Sequence, residues 1–364
     1  MNSELHLFII WANARYKQSE IIKDISSRFR IVGIHSITWD KSRFSGNITR
    51  FYGENLPPYS NKVKLCGNDT FVLVTVIDEN PLYRPRLTSK GSKSVNVNMF
   101  DSKEMYRLWT GGGHMIHGTN DEKETRHDLV LLTGYSVDDY LKMATENGAI
   151  LEQSFFEMPG EDKWKEVKQL FYVLNETIPY VVLRNFDDLF SPDNHSLHAD
   201  IDILTDNRDL ARLMINGKPV FRSERRVRHR VNTEKEVCYF DIRYVGDDYY
   251  CKKWEEDILN SKVYDQSGFY RPSETNYYFS LLYHALVQKT FIAEDYKNKF
   301  KSFFSELDED ALRDTLLEYL KQNHYSMNEP VDYSVYFNPQ ITGKSMSLVK
   351  FCNKAVHCLF SSSK

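Results

Sequence analysis

The chain has 364 residues, enough for two ordinary domains and a further helical region. Its hydrophobic share of 41% and charged share of 27% are typical of a globular protein, and no apolar run approaches the roughly 18 residues that a membrane span requires. A net charge of −4 gives no general reason to expect nucleic acid as a partner.

The N-terminal segment and the cysteines indicate the cellular compartment. The first apolar run, LHLFIIW, is too short and lacks the preceding basic residues of a signal peptide. The five cysteines are scattered, odd in number and without CxxC spacing, so they predict neither a disulfide framework nor a zinc site. We therefore expect a cytoplasmic protein without a transmembrane segment.

The first 138 residues alternate between strand and helix patterns. LHLFIIW has the length of a strand, and Ile21 and Ile25 then recur at helical spacing. RIVGIHSITW alternates as a strand does, and FVLVTVID is typical of a buried strand. This order predicts a ferredoxin-like α/β sandwich, with the first strand central and the helices covering one face of an antiparallel sheet.

The segment GGGHMIHGTNDEKETRHDL, with Phe51-Tyr52 upstream, resembles nucleoside diphosphate kinases over residues 1–138. His117 matches that family's phosphorylated histidine, and Asp128 falls where its helix places an acid against that histidine. The resemblance implies that His117 is a nucleophile for a phosphoryl group. It also implies a nucleotide site formed by Tyr52, Arg84, Arg107, His114, Asn120 and Asp128, with Arg86 as a further phosphate clamp.

Three positions differ from the family pattern. Trp11 stands in place of an early lysine, His114 in place of the motif asparagine, and Thr119-Asn120-Asp121 in place of Ser-Asp-Ser. Loss of the lysine removes a cation from the transferred group. The domain is therefore an active kinase, a nucleotide- or sugar-phosphate-binding relic, or a structural domain.

Residues 139–162 are predicted to be a linker, because the pattern weakens there and Met158-Pro159-Gly160 has turn chemistry. In the next domain, 163–262, we expect a helix over 163–177, a strand over 180–184, a strand over 199–204, a helix over 207–216 and a strand over 239–244.

Two carboxylates, Asp200 and Asp202, alternate with apolar residues in HADIDIL. On a strand, residues two apart project from the same face, so these carboxylates converge. Converging carboxylates repel unless a cation lies between them, and hard oxygen ligands suit Mg²⁺. Asp241, in CYFDIRYV, is the third candidate ligand. Surface acids at a strand end are the alternative.

Residues 165–260 resemble the nucleotidyltransferase superfamily of polymerase-β-like folds, through VVLRNFDDL, DID and the separate Asp241. The resemblance implies a mixed-sheet domain in which Asp200, Asp202 and Asp241 are catalytic and bind Mg²⁺. That superfamily usually has a Gly-Ser pair in the turn after its first strand. Arg184-Asn185 occupies this turn here, so both are candidate nucleotide-binding residues, and we expect Arg184 to contact a phosphate through its side chain.

Helical periodicity dominates the remainder, 263–364, including NYYFSLLYHALVQKTF, which we interpret as core with an acceptor-binding helix as the alternative. The C-terminal SLVKFCNKAVHCLFSSSK is amphipathic and basic, and either packs on the protein or lies on an anionic membrane surface. The run from Arg222 to Arg230 is strongly basic, typical of a solvated face, with a local phosphate or polyanion contact as the alternative.

These patterns together predict an α+β enzyme that uses Mg²⁺. It would move a nucleotidyl or phosphorylated sugar or alditol group from a nucleoside triphosphate or nucleotide-activated donor to a small-molecule or saccharide acceptor. Two alternatives stay open: a nucleotide-sensing or toxin-antitoxin-type regulatory protein with degenerate sites, and a metal-dependent glycosyltransferase. A homo-oligomer is also left open.

Overall fold

A computed structural model describes residues 3–89, 91–148, 150–186, 189–190, 200–301 and 308–343. The chain divides into two compact units, Met1–Lys165 and Glu166–Lys364. Both contain helices and mixed sheets, which confirms the α+β class.

The first unit contains seven strands and six α-helices in the described ranges, with a 3-10 helix at Ala12–Lys17. The strands are β1 (Glu4–Ile10), β2 (Arg30–Ile37), β3 (Phe71–Asp78), β4 (Tyr83–Thr88), β5 (Gly91–Asn96), β6 (Ile116–Gly118) and β7 (Leu151–Phe155). The helices are α1 (Gln18–Arg28), α2 (Phe44–Tyr52), α3 (Asn61–Cys66), α4 (Val97–Trp109), α5 (Glu122–Thr133) and α6 (Val137–Asn147).

The main sheet of the first unit has the strand order β6-β1-β3-β2-β7, and β4 and β5 form a separate hairpin. The centre is β3, in which all eight residues are buried, and not β1 as the sequence predicts. A run rich in Val and Ile gains most from the position that is covered on both faces.

The segment 139–162, predicted as a linker, contains most of α6 and all of β7. β7 pairs in parallel with β2 and forms a sheet edge, so the sheet is mixed and not purely antiparallel. The Tyr140 hydroxyl of α6 lies 2.7 Å from Thr75 Oγ1 on β3 and 2.5 Å from His35 Nε2. A side chain at Gly33 would collide with this same hydroxyl, which explains a glycine in mid-strand.

Helices cover both faces of this sheet, whereas the sequence predicts one. Alternate residues of β1 and β3, such as Phe8 and Val74, pack with Ile21 and Ile25 of α1 and Met99 of α4 in one cluster. The α6 contact with Thr75 lies on the other face, because successive strand residues point in opposite directions. The sequence does not predict helix α6, because only Tyr140 of that helix is fully buried and the hydrophobic pattern is therefore weak.

The second unit contains seven strands and seven helices in the described ranges. The strands are β8 (Tyr180–Val182), β9 (Ile201–Thr205), β10 (Lys218–Pro219), β11 (Arg228–Asn232), β12 (Val237–Tyr244), β13 (Val263–Asp265) and β14 (Phe269–Arg271). The helices are α7 (Val167–Thr177), α8 (Arg208–Met214), α9 (Lys252–Asn260), α10 (Glu274–Val287), α11 (Glu294–Lys301), α12 (Glu309–Gln322) and α13 (Pro339–Thr342).

The sheet of the second unit has the order β10-β11-β12-β9-β8. β12 runs parallel to β9, and the other neighbours are antiparallel. Each element predicted between 163 and 244 is present, with ends shifted by a few residues. Strand β11 was not predicted, because its sequence, RHRVN, is too polar to suggest a strand.

The region after 262 begins with the β13–β14 hairpin and continues as helices. The stripe in α10 is core, as ten of its fourteen residues are buried. The amphipathic segment at 347–364 lies outside the described residues. No helix in the described ranges combines the length and apolarity needed to cross a membrane.

Candidate functional site

The carboxylates of the second unit lie in register on neighbouring strands. Asp241 of β12 pairs with Asp202 of β9 in the parallel ladder, and Arg228 of β11 lies opposite Asp241 in the antiparallel ladder. Asp200 precedes Asp202 by two residues, so all four side chains project from the same face of the sheet.

This face is covered at one end and open at the other. Leu204 and Arg243, one step along β9 and β12, are almost fully buried, and Leu204 belongs to the core formed with α9 and α10. Asp202 is 7% exposed, and Tyr239, two residues before Asp241, is 38% exposed. The carboxylates therefore lie where the face emerges from the core toward solvent.

Two of the three carboxylates have arginine partners, and the third does not. Asp200 pairs with Arg228, and Asp202 Oδ2 lies 3.1 Å from Arg184 Nε. Asp241 Oδ1 is buried without a hydrogen-bond partner among the described residues. Burial, followed by the negative charge of Asp202, raises the pKa of Asp241 to about 6. At Asp241 the nearby charges of Arg243 and Arg228 therefore offset the cost of burial only in part.

Arg184 is held in a buried polar network and does not point freely toward a ligand. Its Nη2 donates to the Tyr249 hydroxyl at 2.6 Å, and that hydroxyl lies 2.9 Å from His284 Nδ1. Burial, then the positive charge of Arg184, holds the pKa of His284 well below its ordinary value, so the ring is neutral. The next residue, Asn185, has a φ of 56°, a left-handed backbone that few residues other than glycine adopt.

A second cluster in the first unit surrounds His117, which lies on β6 opposite Ile9 of β1. His117 Nε2 lies 2.7 Å from Asp128 Oδ2, and His127 Nδ1 lies 2.9 Å from Asp128 Oδ1. Burial works to raise the pKa of Asp128, but the charges and hydrogen bonds of both histidines hold it below its ordinary value. Because the ionised carboxylate only accepts, both histidines donate to it.

This pairing leaves Nδ1 of His117 without a hydrogen bond to any described residue, so the lone pair lies on Nδ1 whenever the ring carries only its Nε2 proton. The rings of Phe51 and Tyr52, on α2, lie edge-on to the imidazole at centroid distances of 5.4 and 5.8 Å. His117 is therefore fixed both by a hydrogen bond and by packing.

Three cations lie around the cluster. Lys62 Nζ lies 4.0 Å above the Tyr52 ring, and Arg107 Nε donates to the carbonyl oxygen of Ile116 at 3.0 Å. The buried Lys103 Nζ donates to the carbonyl oxygen of Gly118 at 3.1 Å, and burial lowers its pKa to about 8.

Sequence reasoning missed Lys62, Lys103 and Glu124. The signal for Lys103 was its helical spacing with the core residues Met99 and Tyr106, which places a lysine on the buried side of α4.

Asn120 joins the cluster through Glu124. Its Nδ2 donates to Glu124 Oε2 at 2.6 Å, its backbone N–H donates to the same oxygen at 2.7 Å, and its Oδ1 accepts from Lys103 Nζ at 2.6 Å. The predicted nucleotide residue Asn120 is thus occupied by internal bonds.

Other residues predicted for this site do not contact His117. His114 is exposed, and Arg84 is exposed on β4 without an ion pair to a described residue. Arg86 pairs with Asp101 at 3.0 Å. Trp11, at the family's lysine position, is fully buried, and its ring centroid lies 4.5 Å from that of Phe71. The lysine position is part of an aromatic core here.

Within the described ranges, one group of three side chains brings potential metal-ligand atoms within 4.8 Å of one another: His117, Glu124 and Asp128. Both carboxylates already accept hydrogen bonds within the protein: Asp128 accepts from His117 and His127, and Glu124 accepts from Asn120. A mixed nitrogen and oxygen set also suits zinc better than Mg²⁺. This cluster is therefore better described as a hydrogen-bonded histidine site.

Comparison with known proteins adds no functional assignment. No protein-family model matches the chain, and no curated protein matches its sequence.

Proposed function

We propose that the protein is a Mg²⁺-dependent transferase that moves a nucleotidyl or phosphorylated sugar or alditol group from a nucleotide-activated donor to a small-molecule or saccharide acceptor in the cytoplasm. The observation that carries this proposal is the row of Asp200, Asp202 and Asp241 on one sheet face, with Asp241 Oδ1 buried and unpartnered. A nucleotidyltransferase-like fold for the second unit is part of the proposal. It is supported by the parallel β9–β12 pair and by the left-handed turn at Asn185.

The three carboxylates share one sheet face, but the structure does not bring their oxygens within the 4.8 Å that unites His117, Glu124 and Asp128, so a bound divalent cation would have to draw them together. A buried carboxylate oxygen without a donor is costly, and three carboxylates on one face repel one another. Asp200, Asp202 and Asp241 would hold Mg²⁺, which neutralises phosphate charge and orients the phosphate groups when bound. Arg228 would then be released from Asp200 toward the donor phosphate, and the exposed backbone turn at Asn185 would lie beside it.

The protein's own groups supply positioning and a base. Arg184, held by Tyr249, fixes the orientation of Asp202. The Asp241 carboxylate would accept the proton of an attacking acceptor hydroxyl. The new bond joins that oxygen to phosphorus as the bond to the leaving phosphate breaks in line.

The test is calorimetric titration of the full chain with ATP, GTP, CTP and UTP in the presence and absence of Mg²⁺. We expect at least one nucleotide to bind only with Mg²⁺, and Asp202→Asn to weaken it at least about tenfold, since one charged ligand is worth roughly 1.5–3 kcal/mol. Asp206→Asn is the matched control, an exposed acid just beyond β9. Equal binding by both variants, or none by the wild type, would overturn the proposal.

We also propose a second activity, phosphoryl transfer through His117 in the first unit, for which the ferredoxin-like order of strands and helices is the expected scaffold. It is favoured by the 2.7 Å bond from His117 Nε2 to Asp128, which leaves the lone pair on Nδ1. Attack by Nδ1 on a γ-phosphorus would form an N–P bond and release a nucleoside diphosphate, while Asp128 stabilises the ring's positive charge.

Intact-mass analysis after incubation with ATP and Mg²⁺ tests this second activity. We expect the gain of one acid-labile phosphoryl group in the wild type and in His114→Gln, an exposed histidine of the same segment, but not in His117→Gln. Binding of nucleotide without any adduct or turnover at either site would instead favour a nucleotide-sensing regulatory protein.

A further inference from the structure

The basic run from Arg222 to Arg230 divides into engaged and free cations. Arg226 Nε lies 3.4 Å from Asp332 Oδ1, and Arg228 pairs with Asp200. Arg230 is exposed and makes no ion pair or side-chain hydrogen bond with a described residue, and the same is true of Lys218 on the neighbouring strand.

The sheet register places these free cations beside the carboxylates. Lys218 of β10 pairs with Arg230 of β11, and Arg230 pairs with Tyr239 of β12. Arg230 and Tyr239 are each two residues from the Arg228–Asp241 pair, so they lie on the same face. A diagonal neighbour in an antiparallel pair is roughly 7–8 Å away, which sets the spacing between Arg230 and Asp241.

An exposed aromatic ring, that of Tyr239, lies beside Lys218 and Arg230, and the three side chains form a second row next to the carboxylates. The Arg228 guanidinium lies 4.8 Å from the centroid of Tyr239, and the Tyr239 ring is 38% exposed. Beneath the row, the residues that point to the opposite face, His229, Val231 and Phe240, are buried. The strands that carry the row are therefore anchored by the core.

We infer that this row, Lys218, Arg230 and Tyr239, binds the acceptor, and that the acceptor is an anionic saccharide bearing phosphate, sulfate or carboxylate groups. This inference rests on the proposed transferase function. The Arg230 fork matches a phosphate or carboxylate, Lys218 adds a point charge, and Tyr239 packs against a sugar ring. An acceptor held in this way directs a hydroxyl one sugar unit further along toward Asp241 and Asp202.

The size and charge of the surface favour a short acceptor over nucleic acid. Even a single nucleic-acid-binding module covers roughly 600–1,000 Å² and uses many phosphate contacts. Here the row contains two free cations, the adjoining row is acidic, and the chain has a net charge of −4. A long polyanion would meet repulsion on either side of the row.

The test measures binding of defined probes to the full chain without Mg²⁺ or nucleotide. The probes are a heparin-derived tetrasaccharide, the neutral maltotetraose and the oligonucleotide dT12. The variants are Lys218→Ala/Arg230→Ala and a charge-matched control, Lys168→Ala/Lys321→Ala, at exposed positions on α7 and α12.

We expect the tetrasaccharide to bind the wild type and the control equally and the Lys218/Arg230 variant at least about tenfold more weakly, since two charge-assisted contacts are lost. Maltotetraose should bind more weakly than the charged tetrasaccharide. Equal tetrasaccharide affinity in all three proteins would overturn the inference, as would tighter binding of dT12 that depends on Lys218 and Arg230.

The experiment separates this inference from the proposed catalytic function. Asp202→Asn should retain tetrasaccharide binding while it loses Mg²⁺-dependent nucleotide binding. Tetrasaccharide binding in the absence of any Mg-nucleotide binding would leave the surface in place and overturn the transferase. If nucleotide binds with Mg²⁺ but the Lys218→Ala/Arg230→Ala variant keeps its tetrasaccharide affinity, the transferase proposal stands and the inference about the acceptor surface is overturned.

Discussion

The His117 cluster and the carboxylate row differ in how their charges are compensated. In the first unit, Asp128 accepts from two histidines and Glu124 accepts from Asn120, so the acidic groups have partners within the protein. In the second unit, the pKa of Asp241 is raised because its burial is not offset by a donor.

This difference indicates which site requires something from outside. A set of polar groups that satisfy one another is already organised, and needs only a substrate. A buried carboxylate without a partner destabilises the folded protein, and a bound cation would remove this unfavourable free energy. Under the proposed function, the first unit would therefore hold a preformed nucleophile and the second would depend on a bound metal ion.

The largest expected effect concerns the His117 cluster, in which the carboxylate of Asp128 has partners within the protein. In Asp128→Asn the negative charge that holds the Nε2 proton of His117 is lost, so the ring no longer gains a stabilising partner as it becomes positive. Phosphorylation of His117, followed by intact mass over time, should slow by about 100-fold or more, within the range of acid–base contributions.

Asp121→Asn is the control for this change, because Asp121 caps α5 through the backbone N–H of Glu124 at 2.7 Å and asparagine is an equally good cap. Equal rates in wild type and Asp128→Asn would show that the histidine acts without the carboxylate.

The uncompensated site predicts a variant that is more stable and less functional. Burial raises the pKa of Asp241 to about 6 in the folded chain from its ordinary value of 3.8 in the unfolded chain, so the ionised carboxylate destabilises the fold. The stability contributed by the protonated Asp241 is fully present below pH 3.8 and is lost as the pH rises through about 6. Asp241→Asn should therefore raise the free energy of unfolding at pH 7.5 by about 3 kcal/mol, and by much less at pH 4.

Thermal unfolding at the two pH values, with and without Mg²⁺, measures this effect. Mg²⁺ should stabilise the wild type at pH 7.5 and have little effect on Asp241→Asn. Destabilisation of Asp241→Asn at pH 7.5 would mean that Asp241 has an internal partner and that the two sites do not differ as described.

A smaller effect is expected where the second unit is well compensated. Tyr249→Phe removes the hydroxyl that accepts from Arg184 Nη2 and leaves a buried guanidinium nitrogen without that partner. Unfolding should become easier by about 1–2 kcal/mol. Tyr239→Phe, at an exposed position, should change stability by less than about 0.5 kcal/mol, and a similar loss in both variants would contradict a special role for Tyr249.

The sequence predicted much of the strand and helix content but not the edges of the sheets. Buried strands such as β3 have an unmistakable apolar pattern, whereas β7 and β11 are polar edge or near-edge strands. The partner of β7 is distant in the chain, and β11 forms a hairpin with β12 that its polar sequence does not indicate. Only pairing with β2 and β12 makes them strands. The helix α6 was missed for a similar reason, since a single tyrosine anchors it to the sheet.

By itself, the sequence determined the α+β class, the strand spacing that places Asp200 and Asp202 on one face, and the proximity in the chain of His117 and Asp128. The tertiary structure alone decided that Asp241 stands in register with Asp202, that Arg184 is tied to Tyr249, and that Lys103 is buried beside Gly118. The physical reason is that periodicity reports which way a side chain points relative to its own element. Its partner, its burial and its charge state depend on elements that the chain brings together from far away.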